Sequence, residues 1–358
     1  MIRLSLRCST RIASIGAAFL LVLGVAACGG GGEEEGALKD VKLILGYQDS
    51  IAYVGLMIAK DRYFEAEGLN VETLPSDGSS FVIQQLISGN VKYGVAGGAE
   101  TLIAAAEGAD LRGIATVDAG IYTLAVSTDS DVQSVADLKG KTVGITGLGG
   151  GEVPLLRAAL REAGLTVGSD VKLLPVGAGG PVAAQALKSG KIAAYGGATN
   201  DLLGLEQAGL AFRRILSEKF TNLPNDTIVV SQSVLDDKEG REIAIKLARA
   251  WLKGTIFASE NHAAFLEIAC QSVPVECEDQ KIAEGFFDLS LGTALAAKTS
   301  GGKWGENDHT RWGIVLDALL SNEVTEPIDV TSVLTNDYID EINDFDEEEV
   351  REEARAAS

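Results

Sequence analysis

Short apolar segments alternate with segments of helical spacing between Val41 and Ser231, and this alternation constrains the fold more than any other feature of the chain. Val41–Gly46 is typical of a strand, Tyr53–Glu67 carries apolar residues at helical spacing, and Asn70–Leu74 is a second short strand. Strand, helix and strand in this order indicate a mostly parallel sheet covered by helices on both faces. The sequence therefore predicts an α/β protein.

The alternation occurs twice, which predicts two lobes. A new strand at Lys141–Ile145 and a helix at Val153–Ala163 restart the pattern, and Thr227–Ser231 reads as a strand that returns to the first block. We expect each lobe to be a mostly parallel sheet flanked by helices, with a two-strand hinge crossing near Ser127 and near Asn225. Two lobes joined in this way suit a ligand cleft that closes by hinge bending. The predicted bounds are 38–127 for the first part of lobe 1, 128–224 for lobe 2, 225–336 for the helical second part of lobe 1, and 337–358 for an acidic tail.

The N-terminal segment contains the features of an export signal in the expected order. Met1–Arg11 is basic and contains no acid, and Ile12–Val25 is an apolar run shorter than the roughly 20 residues of a membrane span. Small residues precede Cys28, as in a bacterial lipobox. We therefore predict a lipoprotein signal peptide at 1–27, lipidation of Cys28, and a flexible linker at 28–37. The protein is then expected outside the cytoplasm, anchored to the membrane through lipid.

Cysteine usage agrees with export. If Cys8 leaves with the signal and Cys28 carries the lipid, only Cys270 and Cys277 remain. Such a pair can form a disulfide outside the cytoplasm, whereas a metal site needs further ligands and the chain has only two histidines. A disulfide is the preferred interpretation, and two reduced thiols in the core are the alternative. We predict no metal site.

Charge narrows the class of partner. The chain has a formal net charge of −21, and removal of the leader, with three arginines and no acid, takes it to −24. This excess of acid repels phosphate backbones, so nucleic-acid binding by charge is excluded. Residues 337–358 contain ten acids against Arg351 and Arg355, and are predicted to form a solvated helix or a frayed end.

Five segments together resemble a known family, and the likeness covers most of Val41–Leu320. The chain resembles the SsuA/THI5-like (NMT1-like) group of substrate-binding proteins of bacterial ABC importers. The segments are GYQDSIAYVGLMIAKDRYFEAEGLNVE (46–72), QQLISGNVKYGVAGG (84–98), VADLKGKTVGI (135–145), AQALKSGKIAAYGG (184–197) and LPNDTIVVSQSVLDDKEGREIAIKLARAWLKG (223–254). The resemblance implies a type II periplasmic-binding-protein fold, no catalysis and no cofactor. It also implies a monomer that delivers a small molecule to a membrane permease with a cytoplasmic ATPase.

Two positions depart from the family pattern. Residues 46–50 read Gly-Tyr-Gln-Asp-Ser where many relatives have an Asp-Trp-x-Pro-like run, and 192–194 read Ile-Ala-Ala where an Asp is usual. The ligand therefore has to be argued from this chain's own residues.

In open α/β sheets, ligands lie at the carboxyl ends of the strands, so the loops after strands are the candidate cleft. They combine hydroxyl and amide groups, carboxylates, tyrosines and glycines next to helix N-termini. A helix cap is the structural alternative for each Ser or Thr, such as Ser79 or Ser80. The candidate ligand-binding residues are Tyr47, Gln48, Asp49, Ser79, Ser80, Gly98, Glu100, Thr101, Tyr122, Thr146, Gly149, Gly150, Gly179, Thr199, Asn200 and Asp201.

The acidic residues in these loops indicate which chemical class of ligand the cleft would bind. The loops contain Asp49, Asp77, Glu100, Glu152 and Asp201 but no Lys or Arg. Carboxylates accept N–H groups, which favours a neutral or cationic nitrogen heterocycle, such as a thiamine-pyrimidine precursor, that tyrosines can stack on. A sulfonate or nitrate-type anion held by helix termini and hydroxyls is the other possibility, and a solvated acidic rim is the structural alternative.

Other functions are less well supported. A nucleotide cofactor is disfavoured because Gly147–Gly151 (GLGGG) lacks the G-x-G-x-x-G spacing. Relatives of the fold include a pyrimidine synthase that consumes its own histidine, but His262 and His309 lie away from the predicted cleft loops. A ligand-sensing module is a third class that the sequence leaves open.

Overall fold

The computed structural model describes residues 37–357, except for 77, 149, 321–323 and 325–327. The predicted signal peptide, the lipidation site Cys28 and nearly all of the 28–37 linker lie outside the described residues. In the ranges that are described, the helices lack the combination of length and apolar character that a membrane span requires.

The strands follow the predicted segments closely. In chain order they are β1 (Lys39–Leu45), β2 (Leu69–Leu74), β3 (Tyr93–Gly97), β4 (Leu111–Thr116), β5 (Tyr122–Ser127), β6 (Thr142–Ile145), β7 (Lys172–Pro175), β8 (Ala194–Ala198), β9 (Phe212–Arg214) and β10 (Asp226–Ser231).

The helices surround two sheets. They are α1 (Val54–Ile58), α2 (Phe64–Ala66), α3 (Ser79–Ile87), α4 (Gly98–Ala106), α5 (Glu152–Glu162), α6 (Pro181–Lys188), α7 (Asp201–Gln207), α8 (Gln232–Asp236), α9 (Lys238–Glu260), α10 (His262–Ser272), α11 (Gln280–Ala297), α12 (His309–Leu320), α13 (Val330–Val333), α14 (Ile339–Ile342) and α15 (Glu347–Ala356). A π-helical turn at Ala59–Tyr63 links α1 to α2, and a 3₁₀ turn at Pro274–Cys277 links α10 to α11.

Two five-stranded mixed sheets form the framework. The first sheet has the order β2-β1-β3-β10-β4 and the second has the order β7-β6-β8-β5-β9. In each sheet one strand, β10 or β5, runs antiparallel to both of its neighbours, and the pairs β1–β2, β1–β3, β6–β7 and β6–β8 are parallel. The predicted two-lobe α/β architecture with a sheet in each lobe is confirmed.

The first crossing between the sheets differs from the prediction. Strand β5 pairs with β8 and β9 and so belongs to the second sheet, which puts the crossing at residues 117–121 rather than near Ser127. Apolar content cannot reveal this, because the buried residues of β5 would suit either sheet equally well. The second crossing lies between Arg214 and Asp226, and the remaining domain bounds stay predictions.

Helix α9 is the centre of the helical layer. It begins at the Asp237 cap, whose carboxylate accepts the N–H of Gly240 at 2.7 Å, and it buries the face that carries Trp251 and Phe257. Helix α1 crosses it at van der Waals contact because glycines face one another there. A Cβ on Gly254 would lie 2.1 Å from the carbonyl oxygen of Gly55.

The acidic tail is packed, which corrects the expectation of a solvated or frayed end. Helix α15 contacts α9, its Val350 and Ala354 are buried, and Arg351 pairs with Glu260 at 2.8 Å. Its Glu347 accepts the indole N–H of Trp304 at 2.9 Å. Charge density alone misleads here because the acids occupy one face of the helix and the few apolar residues occupy the other.

A charge placed on the buried face of α15 tests this packing. We expect Val350→Asp to lower the free energy of unfolding by about 3 kcal/mol, because it buries a carboxylate without a partner. The exposed Glu352→Ala is the matched control and is expected to change it by less than about 0.5 kcal/mol. Denaturant unfolding measures the free energy of unfolding of both variants. Equal values for the two variants would contradict the packing of α15 and would indicate a solvated tail.

Candidate functional site

A pocket of about 180 Å³, called the cleft pocket below, lies where the two sheets meet. The carboxyl ends of β1, β4 and β8 and the first residue of β10 reach it, together with one face of α11. Both sheets therefore contribute to its wall, as the cleft hypothesis requires. Its lining residues are Tyr47, Ala52, Tyr53, Asp118, Ile121, Ala198, Thr199, Asn200, Asp226, Leu289, Ser290 and Thr293.

Two aspartates, one shortly after β4 and one at the start of β10, form the polar floor of the cleft pocket. The N–H of Asp226 donates to Asp118 Oδ1 at 2.9 Å, and the Asn225 side-chain amide donates to Asp226 Oδ1 at 2.9 Å. The backbone N–H of Asn225 also donates to the carbonyl oxygen of Asp118 at 3.1 Å. These bonds hold both carboxyl groups in place while leaving part of each residue open to the pocket.

The surroundings disfavour ionisation of this pair. Burial raises the pKa of Asp118 to about 6, although the bonds from Asp226 and Asn225 act in the other direction. Burial, followed by the charges of Asp118 and Glu100, raises the pKa of Asp226 well above its ordinary range. No Lys, Arg or His is among the described residues that line the pocket. The floor therefore offers two carboxyl groups that accept hydrogen bonds, and donate them when protonated, with no cation among the described lining residues.

Two tyrosines contribute to the apolar part of the wall, together with Ala52, Ile121, Ala198 and Leu289. Tyr53 is buried and meets Trp251 edge-to-face at 5.7 Å, and burial together with Asp226 and Asp118 raises the pKa of its phenol. Tyr47 is more than half exposed at the opening of the pocket. Both tyrosines line the pocket, so a flat ring bound there would lie beside two aromatic side chains.

The structure brings part of the predicted set together. Tyr47, Thr199 and Asn200 line the cleft pocket, and Gln48 lies beside Tyr47 in a surface groove at the opening. Further predicted residues lie along the same boundary between the sheets without reaching the pocket. Ser80, Glu100 and Gly150 line a groove between α3, α4 and the start of α5, and Tyr122 lines an apolar cavity against α12.

Other predicted residues are engaged within the protein. The hydroxyl of Ser79 accepts the N–H of Gly97 at 2.9 Å, so it ties a strand end and does not cap its own helix. The hydroxyl of Thr101 donates to the carbonyl oxygen of Gly97 at 3.0 Å, and Gly98 lies against the ring of Trp312. At Gly179 a Cβ would meet the carbonyl oxygen of Asp201 at 2.3 Å, so the glycine permits close approach of its loop to the start of α7. Gly149 and the loop acid Asp77 lie outside the described residues.

The predicted loop acids have partners that sequence spacing did not reveal. Asp49 forms an ion pair with Lys60, which corrects the expectation of acids without a basic partner. Buried Glu152 accepts both the N–H and the hydroxyl of Thr146, at 2.9 and 2.7 Å. Asp201 accepts the phenol of Tyr195 at 2.9 Å. These carboxylates hold loops, and Tyr195 is a core residue with no face open to a ligand.

Sequence reasoning missed Asp118 and Asp226, which carry the charge of the cleft pocket. A signal was available, since each is an acid next to a crossing between the sheets. Placing the first crossing near Ser127 removed the loop after β4 from the candidate set. The predicted position of the hinge therefore determined which acidic residues were included among the candidate cleft residues.

The cysteine pair is closed in the structure. Cys270 and Cys277 form a disulfide with their Cα atoms 5.6 Å apart, across the turn between α10 and α11. Glu276, the neighbour of Cys277 in this turn, contacts the loop that follows β1.

Comparison with known proteins now gives the family. A family model described as "NMT1/THI5 like" matches residues 51–264. The chain belongs to the NMT1/THI5-like family. The resemblance drawn from the five sequence segments is thereby confirmed, and the matched range extends from the loop after β1 to the start of α10.

Individual relatives of this NMT1/THI5-like chain are distant. It is 24% identical over 311 residues to riboflavin-binding protein RibY of Chloroflexus aurantiacus, covering 84% of this chain and 86% of RibY. It is similar to the aliphatic sulphonate-binding protein SsuA of Escherichia coli, with a TM-score of 0.64, 15% identity, and coverage of 84% and 92%. It is also similar to the desulfurization enzyme DSZB, with a TM-score of 0.56, 16% identity, and coverage of 85% and 98%. At these identities the structural neighbours share the periplasmic-binding fold.

Proposed function

We propose that this protein is the extracytoplasmic solute-binding component of an ABC importer, and that it captures a nitrogen heterocycle in the cleft pocket. One observation supports this class of ligand. Asp118 and Asp226 form the floor of the cleft pocket, and the described residues that line it include no Lys, Arg or His. Carboxyl groups in this setting accept N–H donors, and a protonated carboxyl can in addition donate to a ring nitrogen or carbonyl.

The size and walls of the pocket support a flat ring. The cleft pocket has a volume of about 180 Å³, many times the roughly 10–15 Å³ that one water molecule needs, so it has room for a small ring such as a pyrimidine. A larger tricyclic flavin would extend through the opening beside Tyr47, and the relative RibY makes riboflavin a natural first probe.

The same floor argues against a sulfonate. An anion placed beside Asp118 and Asp226 would be repelled at short range, in a site where burial strengthens charge interactions. The likeness to SsuA concerns the fold and does not extend to ligand chemistry. A sulfonate site would need at least one cation or a set of free N–H groups at this floor.

The arrangement of the sheets supports capture by closure. Helix α11 contacts α7, and α12 contacts α5, so helices that come after β10 reach across to the second sheet. A ligand that touches both Asp226 and Asn200 would favour the closed arrangement over the open one. Delivery to a permease, lipid anchoring through Cys28 and extracytoplasmic location belong to this proposal.

A histidine-consuming enzyme is the weaker alternative. The ring of His262 lies edge-to-face against Phe287 at 4.9 Å, and Nε2 of His309 lies 2.6 Å from the carbonyl oxygen of Leu334. Neither histidine lines the cleft pocket. Their contacts support packing roles, which favours binding over turnover.

Calorimetric titration of the soluble body, beginning at Leu38, tests the ligand class. We expect riboflavin or a thiamine-pyrimidine precursor to bind with micromolar affinity or better, about −8 kcal/mol, and an aliphatic sulfonate to give no heat above dilution. The sulfonate is the matched control because the fold neighbours include its binding proteins. Tight binding of the sulfonate, with no heat of binding from either heterocycle, would overturn the proposal.

A further inference from the structure

The loop after β1, residues 46–53 and called the cleft loop here, supplies three residues of the cleft pocket. Tyr47, Ala52 and Tyr53 line the pocket, and all three precede α1 on this short segment. The positions of these side chains therefore depend on what holds the middle of the cleft loop, at Ser50 and Ile51. Both residues are fully buried, although neither belongs to a helix or a strand.

The middle of the cleft loop is held by one distant carboxylate. Glu276 accepts the backbone N–H of Ile51 at 2.7 Å and the hydroxyl of Ser50 at 3.1 Å. The same hydroxyl lies 3.1 Å from the N–H of Ala52, and the carbonyl oxygen of Ser50 accepts the N–H of Tyr53 at 3.0 Å. A chain of bonds thus runs from Glu276 through Ser50 to the pocket residues Ala52 and Tyr53.

Glu276 is itself held by the disulfide. It lies in the 3₁₀ turn Pro274–Cys277, which the Cys270–Cys277 bond closes against α10. The neighbouring Val275 side chain is exposed, so the turn has little apolar packing of its own. Without the bond, the turn would gain conformational freedom, and the carboxylate would sample positions away from Ile51.

From this geometry we propose that Glu276 is a positioning residue for ligand binding, and that the Cys270–Cys277 disulfide serves to hold it against the cleft loop. The inference rests on the proposed function for its ligand, since it concerns the affinity of the same pocket. It assigns the disulfide a role in binding, in addition to its effect on the stability of the turn.

Hydrogen exchange of the ligand-free protein tests the positioning directly. We expect Glu276→Ala and the double variant Cys270→Ser/Cys277→Ser to exchange the peptide containing residues 47–53 at least tenfold faster than the parent. Glu276→Gln keeps an acceptor oxygen for the Ile51 N–H and should restore most of the protection. The exposed Glu278→Gln removes a charge from the same segment and is the matched control, with unchanged exchange.

Binding of riboflavin, followed by quenching of flavin fluorescence, gives the second readout. We expect about tenfold weaker binding by Glu276→Ala and by the double cysteine variant, near-parental binding by Glu276→Gln, and unchanged binding by Glu278→Gln. Parental affinity in Glu276→Ala, with unchanged exchange at 47–53, would overturn the inference while the proposed function stands. If the parent protein binds neither riboflavin nor a thiamine-pyrimidine precursor, the ligand proposal fails, and the exchange result by itself still decides whether Glu276 positions the cleft loop.

Discussion

Replacing both floor aspartates, as Asp118→Asn/Asp226→Asn, is expected to weaken heterocycle binding at least a hundredfold. The two carboxyl groups form the floor of the cleft pocket, and leaving a buried hydrogen-bonding group without its partner costs about 1–3 kcal/mol for each group. The amide that replaces each carboxyl keeps an oxygen, so the N–H of Asp226 retains its acceptor on residue 118. The loss is therefore expected in ligand affinity and not in the fold.

The same substitution is expected to stabilise the ligand-free protein at neutral pH. Burial raises the pKa of Asp118 to about 6, above the ordinary value of 3.8, and raises that of Asp226 as well. Groups with a raised folded-state pKa favour folding when protonated, and this contribution is lost as the pH rises from about 4 through about 6. At pH 7.5 the double variant should gain about 2 kcal/mol, or a few degrees in melting temperature, and at pH 4 it should gain little.

Thermal unfolding at the two pH values separates this effect from a general change. Asp288→Asn on α11 is the control for loss of a carboxylate outside the pocket lining, because Asp288 is exposed. It is expected to leave both the melting temperature and riboflavin affinity unchanged. If the double variant melts at a lower temperature than the parent at pH 7.5, the claim that ionisation of Asp118 and Asp226 destabilises the ligand-free protein is wrong.

Gly254→Ala is expected to cost at least about 3 kcal/mol in the free energy of unfolding, which is large for one methyl group. The added Cβ would lie 2.1 Å from the carbonyl oxygen of Gly55 and 3.2 Å from the backbone N of Ala59. These are backbone atoms, so no side chain can move aside and the two helices must separate. Gly55→Ala should behave similarly, since its Cβ would meet the Trp251 side chain and carbonyl oxygen at 2.4 Å.

A third helical glycine gives the opposite expectation. Gly292 on α11 is exposed, and a Cβ there would meet nothing within 4 Å. Gly292→Ala should therefore stabilise the protein by about 0.5–1 kcal/mol, the difference in helix propensity. Urea unfolding of the three variants compares them, and similar stabilities for Gly254→Ala and Gly292→Ala would contradict the close crossing of α1 and α9.

Much of the fold could be predicted from local pattern. The β1, β6 and β10 strands and the helix α5 lie within a few residues of the predicted segments, because their apolar spacing is strong. Helix α12 has no counterpart among the predicted elements. Its apolar residues face both α4 and α5, so no single clean face marks the helix.

The candidate site could be predicted only in part. Tyr47, Thr199 and Asn200 were found because they follow strands, and strand ends of parallel pairs meet at one edge. Asp49, Glu152 and Asp201 follow strands as well, yet the structure gives each a partner inside the protein. A loop position places a carboxylate near the cleft, but only its neighbours decide whether it faces a ligand or holds a loop.

Apolar periodicity and the ordered segments of the family pattern determined, by themselves, the α/β class, the two-sheet architecture and the family, because these depend on local spacing along the chain. The tertiary structure alone decided where the chain crosses between the sheets, which acids form the cleft floor, and that the acidic tail packs against α9. Each of these depends on contacts between residues far apart in the chain. Asp118 and Asp226, 108 positions apart, become one floor only when β4 and β10 pair.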